Sequence, residues 1–294
     1  MNREADVIAV GMQKGGVAKT TNALHLAAAL AGVGRRVLLW DVDENYGATK
    51  VFGLAEGNVW TTMDVVTGAC SVNDAVLRGD AEGEGARLPE NLAFIPSSRT
   101  LQGLERQAGQ GESPGNCLKP HIDALRSLGR YDYIIIDTGP HASATTRSAY
   151  LVADYFILSI TPEKQAIASL PDALQDIANA RKSGRNPDLH LLGLIMSGVD
   201  RRIALHKHYE HKIREGFLDR RGGRVKLEPT ISSAAAIDRA YQKNLLLLEA
   251  VPSHKVSAQY RELAREVEAR IARERAGRAG ASPDALAVEG AAHA

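Results

Sequence analysis

Residues 13–21 read Gln-Lys-Gly-Gly-Val-Ala-Lys-Thr-Thr, and this stretch is the strongest constraint on the fold. A short apolar run at 6–11 precedes it, and a helical segment at 22–31 follows it. Adjacent glycines let the backbone turn its N–H groups inward around an anion, and the start of a helix adds favourable partial charge. The succession of strand, glycine loop and helix therefore predicts a phosphate-binding loop at the edge of a sheet.

This loop carries two lysines, whereas such loops ordinarily carry one. Lys19, followed by Thr20, is in the ordinary position, from which it can reach the β- and γ-phosphates of a nucleotide. Lys14 lies five residues earlier, at the start of the glycine turn. A second cation there has no evident role within one subunit, and it suggests a contact with a phosphate bound to another subunit.

Apolar runs and helical segments alternate along the rest of the chain. Strands are predicted at 6–11, 36–40, 92–96, 133–137, 155–160 and 191–196, and the longer helices at 22–31, 142–153, 166–183 and 201–217. This alternation predicts an α/β fold with a doubly wound, mostly parallel sheet flanked by helices. The run 133–137 is apolar on both faces, so it is expected to be a central strand.

The composition indicates one domain with a short tail. Residues 1–276 are predicted to form the domain, and 277–294, rich in Ala, Gly, Ser and Pro, to be a disordered tail. Segments 79–89 and 109–115 are expected to be loops. The two cysteines, Cys70 and Cys117, have neither metal-ligand spacing nor a disulfide framework, and no apolar run approaches the ~20 residues of a membrane helix. We therefore expect a cytoplasmic protein that does not bind membranes.

Three aspartates follow predicted strands at the edge where ligands of open α/β sheets bind. Asp137 ends the central strand and is expected to hold Mg²⁺, directly or through water, unless it caps the next helix. Asp41 and Asp43 end the second strand, and Asp43 could alternatively be a turn or N-cap residue. Thr20 is expected to place its hydroxyl on Mg²⁺.

The phosphate loop departs from the common pattern G-x-x-x-x-G-K-[ST], because its two glycine positions hold Gln13 and Ala18. This form, K-G-G-x-x-K-T-T, is a deviant Walker A motif. Alanine at position 18 is expected to be tolerated if its backbone is already helical. The predicted nucleotide-binding residues are Gly15, Gly16, Val17, Ala18, Lys19, Thr20 and Thr21.

Three segments together resemble the ParA/Soj/MinD group of ATPases. They are the phosphate loop, RVLLWDVDENYGAT and YDYIIIDTGP, with looser matches extending the resemblance over roughly residues 6–272. The resemblance implies ATP and Mg²⁺ as ligands, and a homodimer that sandwiches two ATP molecules. It assigns Lys14 to the nucleotide of the other subunit. It makes Lys14, Lys19 and Asp43 the catalytic residues, with Asp43 orienting the attacking water or holding the metal through water, and Asp41 structural or near the metal.

Two positions depart from the pattern of this group. Glu44 follows Asp43 where many relatives have proline, and Gly139-Pro140 stands where many have two prolines after the Asp137 motif. These changes bear on the hydrolysis rate rather than on nucleotide binding.

A basic segment lies in an otherwise nearly neutral chain, whose net charge is +1. Residues 201–226 contain nine Lys and Arg against three acidic residues. Such a segment suits non-specific binding to DNA phosphates, although an ordinary solvated helix face has the same composition. The expected DNA contacts are Arg201, Arg202, Lys207, Lys212, Arg214, Arg220 and Arg221, with Arg202 the first choice.

The leading functional hypothesis is an ATPase for chromosome or plasmid partition. It would dimerise with ATP, bind DNA at the nucleoid, and respond to a ParB-like centromere-binding partner. One alternative is a positioning ATPase of the same build that moves another cargo. A second is a metabolic P-loop enzyme, such as an amide or dethiobiotin synthetase, against which Lys14 argues.

Overall fold

In the computed structural model, which describes residues 4–54, 57–79, 87–104, 116–217 and 224–280, a single sheet of seven strands forms the centre of the chain. The strands are β1 Asp6–Gly11, β2 Val37–Asp41, β3 Leu77–Arg78, β4 Leu92–Ile95, β5 Tyr133–Asp137, β6 Tyr155–Ile160 and β7 His190–Met196. Their order is β3-β4-β2-β5-β1-β6-β7, and all neighbours are parallel except β3 and β4. The α/β prediction is confirmed, and β5 is central.

Helices cover both faces of this sheet. They are α1 Lys19–Ala31, α2 Gly47–Val51, α3 Thr62–Val66, α4 Lys119–Ser127, α5 Ala144–Val152, α6 Lys164–Ala168, α7 Leu170–Lys182, α8 Ala204–Gly216, α9 Ala235–Tyr241, α10 Leu247–Ala250 and α11 Lys255–Gly280, with a 3-10 turn at Arg99–Gly103. The predicted helix 166–183 is two helices, because Pro171 near the start of α7 cannot continue α6.

Alternate residues of each strand enter opposite cores. In β5, Ile134 and Ile136 pack on the side of α4, α5 and α7, whereas Ile135 packs on the side of α1 and α11. All three isoleucines are fully buried. Burial on both sides is what a doubly wound parallel sheet requires.

The C-terminal helix α11 packs against α1 through an apolar stripe. Tyr260, Leu263, Val267 and Ile271 of this stripe are all buried. The helix ends at Gly280 and so takes in 277–280, the first four residues of the predicted tail. The rest of that tail, the predicted loop 109–115 and most of the predicted loop 79–89 lie outside the described residues. Within the described part, no helix is long and apolar enough to cross a membrane.

Register brings the predicted acidic residues to one edge of the sheet. Asp137, the last residue of β5, lies opposite Asp41 of β2 and opposite Val10 of β1. Because the phosphate loop leaves the same end of β1, the carboxylates and the loop meet at this carboxyl edge.

Candidate functional site

The loop between β1 and α1 contains two residues in the left-handed conformation. Gly16 has φ 75°, and Ala18, directly before α1, has φ 62° and ψ 25°. Left-handed residues on both sides of Val17 make successive backbone N–H groups converge, as an anion requires. Ala18 is therefore not in the right-handed helical conformation on which its toleration was conditional: this position has the conformation that glycine favours, which costs an L-residue about 1–2 kcal/mol.

Ala18→Gly is expected to raise the free energy of unfolding by about 1 kcal/mol, because glycine removes the steric cost of the left-handed backbone. Urea unfolding of the nucleotide-free protein measures it. Ala28→Gly, in the right-handed part of α1, is the control and should lower stability by about 1 kcal/mol or more. Equal destabilisation by both changes would contradict the strain at Ala18.

Lys19 is buried inside this loop. Its ammonium donates to the carbonyl oxygen of Lys14 at 2.8 Å. Burial lowers the pKa of Lys19, while the charges of Asp137 and then Asp43 raise it. The lysine thus lies between the loop and the two carboxylates, in the place where the sequence predicted it.

The carboxylate of Asp137 is fully buried, and neither oxygen has a hydrogen-bond partner of good geometry among the described residues. Burial and then the nearby Asp41 raise its pKa well above the ordinary range, whereas the neighbouring Thr20 hydroxyl lowers it. It is not a helix cap, because Ser143 caps α5 by accepting from the Thr146 N–H. Unpartnered carboxylate oxygens beside a threonine hydroxyl are the oxygen donors that Mg²⁺ prefers, so these residues fit the metal.

The carboxylate of Asp41 accepts hydrogen bonds from the segment that follows β2. One of its oxygens accepts from the Thr49 N–H at 3.0 Å and the Thr49 hydroxyl at 2.8 Å, and the other from the Asp43 N–H at 3.1 Å. Burial raises its pKa to about 7 despite the hydrogen bonds from Thr49. These bonds tie α2 to the end of β2, and they favour the structural one of the two roles left open for Asp41.

The carboxylate of Asp43 faces the same edge, buried at 6% exposure. Its Oδ1 accepts from both the backbone N–H and the side-chain amide of Asn45, each at 2.9 Å. A Cβ on Gly139 would lie only 3.0 Å from this oxygen. Asp43 therefore does order a turn, as the alternative interpretation proposed, and Gly139 leaves room for its carboxylate in the site.

Thr20 and Thr21 lie in the first turn of α1. Gly47, the first residue of α2, packs so closely on Thr20 that a Cβ would lie 3.3 Å from the threonine hydroxyl. The carbonyl of Thr21 accepts from the His25 ring at 2.8 Å. Both threonines are thus fixed from outside the phosphate loop.

His25 is a buried residue that the sequence analysis missed. Its Nδ1 donates to the Thr21 carbonyl, its Nε2 accepts from the Leu247 N–H at 3.3 Å, and its ring stacks on Tyr260 at 4.7 Å. Burial lowers its pKa to about 4. The neutral ring joins α1 to α10 and α11.

Acid is expected to destabilise the fold through His25. Its pKa is lower in the folded chain than the ordinary 6.5, so the unfolded chain takes up the proton first. The contribution of the neutral His25 ring to the free energy of unfolding is complete above pH 6.5 and is lost as the pH falls toward 4. Between pH 7.5 and pH 5 the wild type should lose about 2 kcal/mol more than His25→Gln, measured by urea unfolding.

The exposed histidine His141 supplies the control for this experiment. His141→Gln should follow the wild type between pH 7.5 and pH 5, because its ring is exposed. Asp41 titrates in the opposite sense, but it is common to all three proteins and cancels in the comparison. An identical pH dependence of His25→Gln and wild type would show that His25 does not resist protonation.

Lys14 points away from the other site residues and toward α6. Its ammonium donates to the Gln165 side chain at 3.3 Å and lies 4.0 Å from a carboxylate oxygen of Glu163. Both contacts are long and the partners are exposed, so they contribute little stability. Lys14 is thus close to the site, but its charge is not used to hold it together.

The basic segment is more nearly neutral than its sequence indicated. Arg202 is paired with Asp200 at 2.6 Å, Arg201 with Glu210 at 2.9 Å, and Arg214 with both Glu210 and Glu228. Asp200 and Glu228 lie just outside the counted window 201–226. Including them reduces the local excess of positive charge from six to four.

The other cations of this segment differ in exposure. Lys207 and Lys212 on α8 are exposed, and Arg202 has a side chain 91% exposed despite its ion pair. Lys226, counted in the basic excess, is fully buried against Glu228 at 2.9 Å. Arg220 and Arg221 lie outside the described residues. Arg201 and Arg224 are also exposed, each in an ion pair, so among the described residues the accessible charge is spread over Arg201, Arg202, Lys207, Lys212 and Arg224.

A glycine loop that opens a helix, a buried lysine within it and two buried carboxylates at the same sheet edge define a P-loop nucleotide-binding protein with a deviant Walker A motif. The AAA domain family matches residues 5–191. The chromosome partitioning protein ParA of Caulobacter vibrioides is 33% identical over 215 residues, 73% of this chain and 77% of the relative. The chromosome-partitioning ATPase Soj of Thermus thermophilus is 30% identical over 266 residues, 90% and 96% of the two chains.

Solved structures agree with this fold. Cobyrinic acid a,c-diamide synthase of Mycobacterium smegmatis, with bound ADP and magnesium, has a TM-score of 0.72 at 25% identity and covers 93% of this chain and 96% of its own. A putative plasmid partition protein of Borrelia burgdorferi bound to AMPPNP has a TM-score of 0.70 at 22% identity, covering 92% and 100%, and shows the fold alone. The chain belongs to the ParA/Soj family of P-loop ATPases.

Proposed function

We propose that this chain drives DNA partition as an ATP-dependent dimer. ATP joins two copies, the dimer binds DNA without sequence preference at the nucleoid, and a ParB-like partner in the cytoplasm stimulates hydrolysis. The observation that carries the proposal is Lys14, a cation whose ammonium is held, within the described part of the chain, by long contacts with exposed partners, beside a site that already contains its own lysine. The names of relatives 30–33% identical to this chain support the partition role.

Each side chain of the site has a proposed part in hydrolysis. Lys19 and the loop N–H groups bind the phosphates, and Thr20 and Asp137 hold Mg²⁺, which neutralises charge on the β- and γ-phosphates when bound. Asp43 orients the attacking water and accepts its proton. Lys14 of each protomer reaches the phosphates of the other, so dimer formation depends on the nucleotide.

The proposed DNA surface consists of Arg202, Lys207 and Lys212. Arg202 follows β7, whose carboxyl end lies at the nucleotide edge, and α8 begins directly after it. Exchange of the exposed ion pair between Arg202 and Asp200 for a contact with a DNA phosphate costs little free energy, since such pairs contribute about 0–1 kcal/mol. Two copies of a small basic surface in one dimer bind DNA better than one copy.

A gel-shift assay with non-specific double-stranded DNA tests nucleotide dependence, dimer formation and DNA binding together. ATP should produce a shift that ADP does not. Arg202→Glu should weaken binding roughly tenfold and flatten its salt dependence. Arg36→Glu is the matched control: Arg36 is also an exposed, ion-paired arginine, but it precedes β2 at the opposite edge of the sheet. A shift that is equal with ADP, or equally weakened by both changes, would contradict the proposal.

An amide synthetase is the second candidate, favoured by the structure that is 25% identical over most of the chain. Such an enzyme that takes ammonia from glutamine commonly uses a reactive thiolate. Burial, followed by the charges of Asp64 and Asp74, raises the pKa of Cys70 and disfavours its thiolate. Release of glutamate from glutamine, dependent on ATP and a carboxylic acid, would favour this candidate over partition.

A further inference from the structure

We propose that Asn22, Ser159 and Tyr260 are positioning residues, through which the C-terminal helix α11 holds the phosphate loop in its binding conformation. They form a buried chain of hydrogen bonds that ends on the carbonyl of Val17. None of them is among the residues expected to contact nucleotide.

The first link fixes Val17. The Ser159 hydroxyl, on β6, donates to the Val17 carbonyl at 2.5 Å. Left-handed residues flank Val17 in the loop, so its neighbouring N–H groups turn toward the anion while its carbonyl turns outward. A carbonyl released from Ser159 could turn inward and place a partial negative charge near the phosphates.

The second link fixes the direction in which the Ser159 hydroxyl donates its hydrogen bond. The side-chain amide of Asn22, on α1, donates to the Ser159 oxygen at 2.7 Å. Because Asn22 supplies a hydrogen to this oxygen, the hydroxyl hydrogen of Ser159 is left for Val17. Asn22 and Ser159 are fully buried, and Val17 is 1% exposed, so water cannot replace these bonds.

The third link reaches α11. The carbonyl oxygen of Asn22 accepts from the Tyr260 hydroxyl and from the Ser197 hydroxyl, both at 2.8 Å. Two donors on this oxygen fix which end of the amide faces Ser159. The Tyr260 ring is itself held by stacking on His25. The loop that binds phosphate is therefore ordered by residues up to 243 positions away in the sequence.

Simple satisfaction of buried polar groups is the competing explanation, and it predicts a different result. Under that explanation, loss of a hydroxyl lowers stability but leaves nucleotide affinity unchanged. Ser257, also on α11 and fully buried, offers the comparison, since its hydroxyl donates to the Val251 carbonyl at 2.9 Å and does not touch the chain of bonds.

The experiment measures the dissociation constant for Mg-ATP and the free energy of unfolding in three variants. Ser159→Ala should weaken Mg-ATP binding roughly tenfold, which corresponds to one lost buried hydrogen bond. Tyr260→Phe, which keeps the ring on His25, should weaken it roughly threefold because Ser197 still holds Asn22. Ser257→Ala should leave both the affinity and kcat at saturating ATP unchanged while lowering stability.

A double variant supplies the second test. In Ser159→Ala/Tyr260→Phe the loss of affinity should be smaller than the product of the two single losses, because both act on the same carbonyl. Unchanged affinity in Tyr260→Phe and Ser159→Ala, or an equal loss in Ser257→Ala, would overturn the proposal. If Ser159→Ala does not fold, Tyr260→Phe against Ser257→Ala decides it alone.

Discussion

Lys14→Ala is expected to abolish the ATP-dependent dimer while leaving the dissociation constant for Mg-ATP within about threefold of wild type. Among the described residues of its own subunit, the ammonium of Lys14 makes long contacts with Gln165 and Glu163, so the substitution removes little polar stabilisation from the folded monomer. The phosphates bound by one subunit retain Lys19. At the interface, the lysine of the opposite subunit no longer neutralises the charge of these phosphates. The dimer therefore loses the interaction that makes it depend on ATP.

Sedimentation velocity with a non-hydrolysable ATP analogue measures this effect, and a fluorescent ATP analogue measures affinity in the same samples. Lys164→Ala removes an exposed lysine of α6, which stands between Glu163 and Gln165 in the sequence, and should dimerise like wild type. Dimers of Lys14→Ala at wild-type concentrations would show that its charge does not act across the interface.

Asp43→Ala is expected to lower ATP turnover about 100-fold or more, because loss of a positioned general base typically costs 10²–10⁴-fold. ATP binding and the dimer should remain, since Lys19 and Asp137 are unchanged. The variant should therefore accumulate as an ATP dimer on DNA. Removal of the side chain leaves space beside Gly139 rather than a clash.

Phosphate release under single-turnover conditions separates this step from dissociation of the products. Glu44→Ala is the control, because Glu44 is the adjacent acid but its side chain is partly exposed. It should retain turnover within about threefold. Full activity of Asp43→Ala, or an equal loss in Glu44→Ala, would move the water-orienting role away from Asp43.

Most of the sheet could be predicted because parallel strands are buried on both faces and appear as continuous apolar runs. The bounds of β1, β5 and β6 match the predicted runs 6–11, 133–137 and 155–160. The antiparallel edge strand β3 has only two residues, and the short helices α2, α3 and α10 have four or five. Elements of that length carry too little periodicity to be recognised, and tertiary contacts such as those of Thr49 with Asp41 hold them instead.

The residues of the candidate site likewise fall into two groups, those that local motifs indicate and those that they do not. Local motifs predicted Lys19, Asp43 and Asp137, because each follows a strand at the edge where ligands bind. No local pattern indicates that Asn22 lies between Ser159 and Tyr260, since those contacts are set by the order of the strands. The ion pairs of Asp200 and Glu228 were missed for a simpler reason, because a count over a window ends at arbitrary residues.

The direction of α11 has a practical consequence. Tyr260 lies beside α1 and the phosphate loop, whereas Arg275 contacts Asp6 and Glu268 contacts Arg35, at the amino ends of β1 and β2. From Tyr260 to Arg275, an interval of 15 residues, the helix advances about 22 Å. The helix therefore carries the chain from the nucleotide edge of the sheet to its amino edge, so a fluorescent protein fused directly after Gly280 would start at the edge opposite the nucleotide site.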